Sequence, residues 1–312
     1  MFRLISGVFM GWSLGSNDSA NVFGTAVFSK KVSYRTAVTL TAVFIIIGAL
    51  LQGYKGMHTL GGLTRQTMDT AFIASLSAAL TVTLMTFSKL PVSTSQAMVG
   101  AIIGIGLNNW LKNGEELNFS GMAKVLLAWV GTPIGAIAVA CALYALLGKI
   151  IDSLPVNIFT RDWILKVGII VAGCYGAYAL GANNVANVTG VYTKTGLLTE
   201  FQAVLIGSVS MALGAVTFSK NVMMTVGQKL VKLDPFSALI AVLSEAIVVH
   251  FYALLGVPVS TSQAIIGAVL GIGLLKGVQT INLKTLLSIL MGWLGTPAIA
   301  LTLSFLIYRI VD

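Results

Sequence analysis

The feature that most constrains this chain is an octapeptide that occurs twice in apolar surroundings. Residues 90–97 read LPVSTSQA, and residues 257–264 read VPVSTSQA. Each copy places hydroxyl and amide side chains next to one another and leads into an apolar run with regularly spaced glycines. Polar side chains at membrane depth have to be satisfied by one another, by water or by a bound solute. The duplication therefore predicts a polar binding site inside an otherwise apolar protein.

The composition excludes a soluble protein. Of the 312 residues, 56% are hydrophobic and 9% are charged, whereas soluble domains carry about 25% charged residues. Apolar stretches of about 20 residues, the length that crosses a bilayer, recur along the chain. We therefore predict an all-α integral membrane protein. The net charge of +9 is typical of basic cytoplasmic loops rather than of nucleic-acid binding.

Two further motifs recur, so nearly the whole chain is an internal duplication. Residues 15–22 (GSNDSANV) return as residues 181–188 (GANNVANV), and residues 129–133 (WVGTP) return as residues 293–297 (WLGTP). We predict a first membrane repeat over residues 1–150, a linker over residues 151–165 and a second membrane repeat over residues 166–312. Such duplication is common in secondary transporters.

Each repeat contains five apolar segments, and five crossings invert the second repeat relative to the first. The segments are predicted at residues 4–28, 35–53, 70–89, 91–109 and 121–149, and at residues 166–192, 198–217, 236–257, 258–275 and 285–309. Lys30, Lys31 and Arg35 follow the first segment, which predicts a cytoplasmic loop there and both termini outside. The short segments 91–109 and 258–275 are alternatively re-entrant hairpins.

Asp18 is the acidic residue that lies deep in the first repeat. A carboxylate at the bilayer centre costs at least ~2.5 kcal/mol, so it needs a cation, hydrogen-bond donors or water. Its neighbours Gly15, Asn17 and Asn21 are poor helix formers, and we predict that the helix and its later copy are broken at this motif. A break exposes carbonyl oxygens for a cation and a helix N-terminus for an anion. A helix cap in a kinked segment is the alternative.

The second repeat has no carboxylate at the corresponding position, which is Asn184. Glu245, in the apolar run 238–255, is either an accessory ligand that replaces this carboxylate or a structural residue.

The two PVSTSQ copies are the candidate anion site. Pro91 and Pro258 suit the first turn of a helix because proline has no backbone N–H to donate. The N–H groups and hydroxyls that follow would then converge on one oxyanion. The alternative is that serine and threonine hold membrane helices together.

At these residues the chain resembles the inorganic phosphate transporter family. Residues 15–22 and, less fully, residues 181–188 match its motif Gly-Ala-Asn-Asp-x-Ala-Asn-Ala, and both octapeptides resemble its Pro-Val-Ser-Thr-Thr-His motif. The resemblance implies a secondary transporter that carries phosphate with a coupling cation across the cytoplasmic membrane, built as an inverted repeat and a homodimer. Gln96 and Gln263 replace a histidine of the family motif, which favours sodium over protons because hard cations prefer oxygen ligands.

These arguments combine into one set of candidate residues. The predicted phosphate ligands are Ser93, Thr94, Ser95, Ser260, Thr261, Ser262, Asp18 and Asn184, and the predicted sodium ligands are Asn17, Asp18, Asn21, Gln96, Asn183, Asn184, Asn187 and Gln263, with Glu245 as a possible accessory. No cofactor is predicted. Three alternatives remain: a proton-coupled phosphate or sulfate permease of the same fold, an anion channel, and a membrane hydrolase that uses Asp18 and Glu245.

Overall fold

The computed structural model describes residues 2–87, 92–114, 117–229, 233–277 and 283–311. Within these ranges every regular element is helical, which confirms the all-α prediction. The α-helices of the first repeat are α1 (Ile5–Phe28), α2 (Tyr34–Gln52), α3 (Tyr54–Gly61), α4 (Met68–Phe87), α5 (Thr94–Asn113) and α6 (Phe119–Ser153). Those of the second repeat are α7 (Ile158–Thr193), α8 (Glu200–Lys229), α9 (Pro235–Leu254), α10 (Thr261–Lys276) and α11 (Leu283–Val311).

The ten predicted apolar segments correspond to ten of these helices, and the short α3 is an addition. The predicted linker, residues 151–165, is mostly helical, and only residues 154–157 separate α6 from α7. Asn157 explains the difference, because its side chain accepts a hydrogen bond from the Thr160 N–H (2.8 Å) and starts α7 early. The polar residues that follow lie on the exposed first turns of α7.

Seven helices within the described ranges are long and apolar enough to cross a membrane, and α10 is a shorter apolar helix. Many large apolar side chains on their outer faces are exposed, as a lipid-facing surface requires. The chain is therefore a multi-pass membrane protein.

Ion pairs near the helix ends show which of these ends lie together at each end of the bundle. Lys31–Asp162 and Lys276–Asp234 lie at one end, and Arg3–Asp69 and His58–Glu200 lie at the other. This grouping is what five segments per repeat require. Which end faces the cytoplasm stays a prediction, as does the inversion of the repeats.

The two repeats interlock rather than pack as separate bodies. α1 packs on α8, and α7 packs on α2, so the first helix of each repeat lies on the second helix of the other. A Cβ at Gly15 would lie 1.9 Å from the Met211 carbonyl oxygen, and a Cβ at Gly181 would lie 2.0 Å from the Ile45 carbonyl oxygen. Only glycine allows the backbones to approach this closely.

A second exchanged pair of contacts joins α5 to α11 and α10 to α6. A Cβ at Gly100 would lie 2.4 Å from the Pro297 carbonyl oxygen, and a Cβ at Gly267 would lie 2.4 Å from the Pro133 carbonyl oxygen. The glycine-spaced runs are therefore helix-packing surfaces, and the repeated WxGTP motif is their partner surface.

Candidate functional site

The motifs at residues 15–22 and 181–188 lie in helices that continue through them. α1 and α7 have no interruption at either motif, so the predicted break in these helices is wrong. The physical reason is that the asparagine and aspartate side chains bond to facing helices. They do not compete for their own backbone, and the helical hydrogen bonds stay closed.

Two other helices do begin inside the protein, at the octapeptides. Ser93 caps α5 by accepting a hydrogen bond from the Gln96 N–H (3.3 Å), and Ser260 caps α10 by accepting one from the Gln263 N–H (3.2 Å). Both serines are buried. After α5 the chain returns to the start of α4, where the Asn118 N–H donates to the Leu63 carbonyl (3.2 Å). Helices α4 and α5 therefore form a hairpin whose tip lies in the interior. Helices α9 and α10 form a second such hairpin, because Lys276 at the end of α10 pairs with Asp234 at the start of α9.

Pro258 lies before the Ser260 cap in the non-helical residues 257–260, and not in the first turn of α10 as predicted. Asn183 on α7 accounts for this. Its side chain donates to the Val257 carbonyl (3.1 Å) and accepts from the Val259 N–H (3.0 Å). These bonds hold residues 257–259 in a non-helical conformation up to the cap at Ser260. Leu90 and Pro91 of the first octapeptide lie outside the described residues.

The two hairpin tips contact each other directly through an exchanged pair of hydrogen bonds. The Ser95 hydroxyl donates to the Val259 carbonyl (2.7 Å), and the Ser262 hydroxyl donates to the Val92 carbonyl (2.9 Å). These protons are committed to holding the tips together. The two capping serines accept a hydrogen bond each, and their hydroxyl protons have no acceptor among the described residues.

Helices α1 and α7 hold the tips from the sides. The Asn187 amide donates to the Ser95 hydroxyl oxygen (2.8 Å). The Asn21 amide donates to the hydroxyl oxygens of Ser262 (3.1 Å) and Thr261 (3.2 Å). The predicted residues of both motifs therefore meet in one buried cluster at the centre of the protein.

Asp18 lies at the middle of this cluster and uses only one of its carboxylate oxygens. Oδ2 accepts from the Thr94 hydroxyl (2.7 Å) and from the Asn184 amide (3.0 Å). Oδ1 is buried and has no hydrogen-bond partner within the described part of the chain.

Asp18 Oδ1 belongs to a set of buried acceptor oxygens that lack partners among the described residues. In the described part of the chain, seven amide or carboxylate oxygens share this property, and all but those of Asn108 and Glu245 belong to the repeated motifs: Asp18 Oδ1, Asn184 Oδ1, Asn187 Oδ1, Gln96 Oε1 and Gln263 Oε1. All five belong to the predicted cation ligands. Unsatisfied buried oxygens are rare because each costs about 1–3 kcal/mol, so their concentration here indicates a site for a cation.

The cluster contains groups with negative and with positive partial charge. Every lysine and arginine side chain that the structure describes is at least partly exposed, so none is buried beside Asp18. The N-termini of α5 and α10 both open into the cluster, and each contributes a partial positive charge and free N–H groups. Oxygens for a cation and donors for an anion therefore lie side by side.

The remaining predicted residues lie at the edge of this arrangement. The Asn17 amide donates to the Thr86 hydroxyl at the end of α4 (2.9 Å), so it parallels Asn183 in holding a hairpin. Glu245 is buried on α9 and makes no hydrogen bond to the tips that the structure describes. Sequence reasoning missed Thr86 and Ser19, whose fully buried hydroxyl has no hydrogen-bond partner in the described ranges. Only Ser19 carried a signal, because it stands inside the first motif.

Comparison with known proteins identifies relatives over the whole length. The sequence model of the phosphate transporter family matches residues 14–304. A candidate phosphate permease of Methanocaldococcus jannaschii is 31% identical over 309 residues, covering 99% of this chain and 97% of that protein. The sulfate permease CysP of Bacillus subtilis is 26% identical, covering 97% of this chain and 86% of that protein. A solved structure of a sodium-dependent phosphate transporter superposes with a TM-score of 0.89 at 23% identity, covering 100% of this chain and 99% of that one.

Proposed function

The chain belongs to the phosphate transporter family, and we propose that it is a symporter that carries inorganic phosphate with sodium ions across the cytoplasmic membrane. The family consists of transporters, which agrees with the prediction that the chain is not an enzyme. The observation that carries the proposal is the group of five partnerless buried oxygens beside two converging helix N-termini.

The cation part of the proposal rests on the oxygens. Four of the five belong to neutral amides and one belongs to a carboxylate, and such hard oxygen ligands suit sodium. The solved relative is a sodium-dependent transporter, which is in line with this choice. Asn17 and Asn183 would contribute less, because their amides already hold the hairpins.

The anion part rests on the facing helix starts. Phosphate would lie between the first turns of α5 and α10, where backbone N–H groups and the hydroxyls of Ser93 and Ser260 are free to donate. The hydroxyls of Thr94, Ser95, Thr261 and Ser262 already form hydrogen bonds within the cluster, so these residues would support the site without donating to phosphate directly.

Coupling follows from charge. A multiply charged anion is poorly held by neutral donors in a buried site, and adjacent sodium ions reduce that cost. Thermodynamic linkage then requires sodium and phosphate to tighten each other's binding by the same factor.

The second candidate is a proton-coupled phosphate or sulfate permease, and the sulfate permease among the relatives favours keeping it. The site differs little between the two cargoes. Phosphate carries a proton that an acceptor can read, and the partnerless Asp18 Oδ1 is such an acceptor.

We further propose that both termini lie outside and that the protein is a homodimer. The orientation rests on loop charge, because the end of the bundle that carries Lys30, Lys31 and Arg35 also carries Lys149 and Lys166. The homodimer rests on the family resemblance alone.

Uptake into proteoliposomes tests the function. Labelled phosphate would be supplied with a sodium gradient at equal pH, with a pH gradient without sodium, and with both, and sulfate would serve as competitor. We expect the sodium gradient alone to drive accumulation and sulfate to compete weakly. Accumulation driven by the pH gradient in choline would favour the second candidate.

A further inference from the structure

Glu245 is a second carboxyl group in the interior, and its surroundings differ from those of Asp18. The residue is 1% exposed, and Oε2 has no hydrogen-bond partner within the described ranges. Oε2 lies 3.8 Å from the point where a Cβ of Gly176 on α7 would stand, and a Val22 methyl group on α1 lies 3.2 Å from the same point. Oε2 therefore lies close to Gly176 on α7 and near Val22 on α1, and no hydrogen-bond donor within the described ranges reaches it.

This environment suits a proton better than a metal cation. Sodium needs several oxygen ligands at once, whereas a proton needs one oxygen and no shell. An ionised carboxyl that is buried without a hydrogen-bond donor is costly, and binding a proton removes the charge. Val22, one helical turn after Asp18 on α1, lies beside the same point of α7 as Glu245 Oε2. Charges on two groups buried in the same part of the protein interact strongly, so the charge at one site affects the other.

We propose that Glu245 holds a proton while the cation site beside Asp18 is empty, and releases it to water when sodium binds. The inference rests on the proposed sodium site. The positive charge of sodium stabilises the ionised form of Glu245, so the proton and sodium oppose each other. Linkage then requires sodium to bind more tightly as the pH rises.

His250 is the nearest alternative source of a proton on α9. Its Nδ1 lies 2.8 Å from the Tyr175 hydroxyl, and its Nε2 lies 2.7 Å from Oε1 of Gln52. The ring therefore has a partner at each nitrogen, and a second tyrosine, Tyr178, packs against its edge.

The other titratable groups on helices that pack against α9 do not face Glu245. On α7, Cys174 lies on the side of the helix away from Gly176. On α10 and α6, Lys276 and Tyr144 lie at the start of α9 with Asp234 and Phe236, and Cys141 contacts the Gly271 carbonyl. On α3, Lys55 contacts the Leu254 carbonyl and His58 pairs with Glu200. Asp18, in contrast to these groups, is placed to act on Glu245.

The test is a sodium titration of the purified full-length protein in weakly buffered detergent solution, with choline replacing sodium and a pH indicator reporting protons. We expect the wild type to release about one proton on saturation near neutral pH, and its sodium affinity to rise by up to about tenfold per pH unit. Glu245→Gln should bind sodium without proton release and with an affinity independent of pH. His250→Gln is the matched control and should release protons as the wild type does.

Three results would overturn the inference. Proton release that persists in Glu245→Gln places the proton on another group, and sodium binding without release in the wild type excludes a coupled proton while leaving the proposed function intact. If Glu245→Gln does not fold, infrared difference spectra of the wild type with and without sodium test the inference. The proposal requires that sodium binding removes the absorption band of a protonated carboxyl group. Absence of sodium binding at every pH would overturn the proposed function together with this inference.

Discussion

Replacing Asp18 by asparagine changes the charge of the site and little else. Asparagine keeps one acceptor oxygen, which can still receive the Thr94 hydroxyl and the Asn184 amide. Its NH2 group then takes the place of the partnerless Oδ1. We therefore expect Asp18→Asn to fold, and to be as stable as the wild type or more stable in sodium-free detergent, because a buried charge is gone.

The cost to sodium binding follows from the burial of this carboxylate. An ion and a carboxylate oxygen in contact, about 2.4 Å apart, attract each other by about 7 kcal/mol at an effective dielectric constant of about 20. Desolvation of the ion and the ligands cancels part of this attraction. A net loss of about 3 kcal/mol or more is still a weakening of at least about a hundredfold in sodium affinity.

Thermal unfolding in detergent measures this loss directly. Sodium at about one hundred times its dissociation constant stabilises the wild type by about 2.7 kcal/mol, which raises the melting temperature by several degrees. Asp18→Asn should show no such rise at the same concentration. Asp69→Asn is the control, because Asp69 is exposed and pairs with Arg3 at the end of the bundle (2.6 Å). An equal rise with sodium in Asp18→Asn would refute the assignment of Asp18 as a sodium ligand.

Three other substitutions test separate parts of the structure. Thr94→Val should weaken phosphate binding ten- to hundredfold, about 1–3 kcal/mol, in an equilibrium binding assay. The control is Thr41→Val, which loses a hydrogen bond to its own helix and should bind phosphate as the wild type does. Ser95→Ala removes one buried hydrogen bond between the tips and one from Asn187 on α7, and it should lower the melting temperature by several degrees. A wild-type melting temperature would contradict the role of Ser95 in holding the tips. Burial raises the pKa of Asp234, but hydrogen bonds from Lys276 and the α9 backbone outweigh burial and lower it to about 2. The stabilising contribution of Asp234 is therefore complete above about pH 4 and lost as the pH falls towards 2, so Asp234→Asn should lower the melting temperature near pH 6 and not near pH 2.

The helices were largely predictable from the sequence, because a membrane span needs a long apolar run. α3 was not predictable in this way, since its eight residues include Lys55, His58 and two glycines. It is a helix because it packs along α7 and covers the second hairpin tip, where the Thr59 hydroxyl donates to the Gly256 carbonyl (2.6 Å). Gly256 lies far from α3 along the chain, and no local sequence pattern predicts this contact.

The sequence was enough to predict which residues form the site, but not what each residue does there. Duplicated polar motifs in apolar surroundings indicated which side chains meet. Whether Asn183 binds an ion or holds the backbone of residues 257–259 depends on a facing segment. The predicted break at Asp18 failed for the same reason, because the partners that keep α1 closed lie on α5 and α7.

The exchanged helix contacts have a consequence for how the protein is made. α1 enters the bilayer early in synthesis, but its glycine face packs on α8, which the ribosome produces only after the whole first repeat and α7. Until then, lipid or another helix has to cover that face, and Asp18 stands in the bilayer without the amide of Asn184. Contacts between residues this far apart in sequence form late and slowly. A chain that stops after the first repeat would keep its apolar helices and lack the partners of both α1 and α2, so membrane quality control has a specific intermediate to recognise.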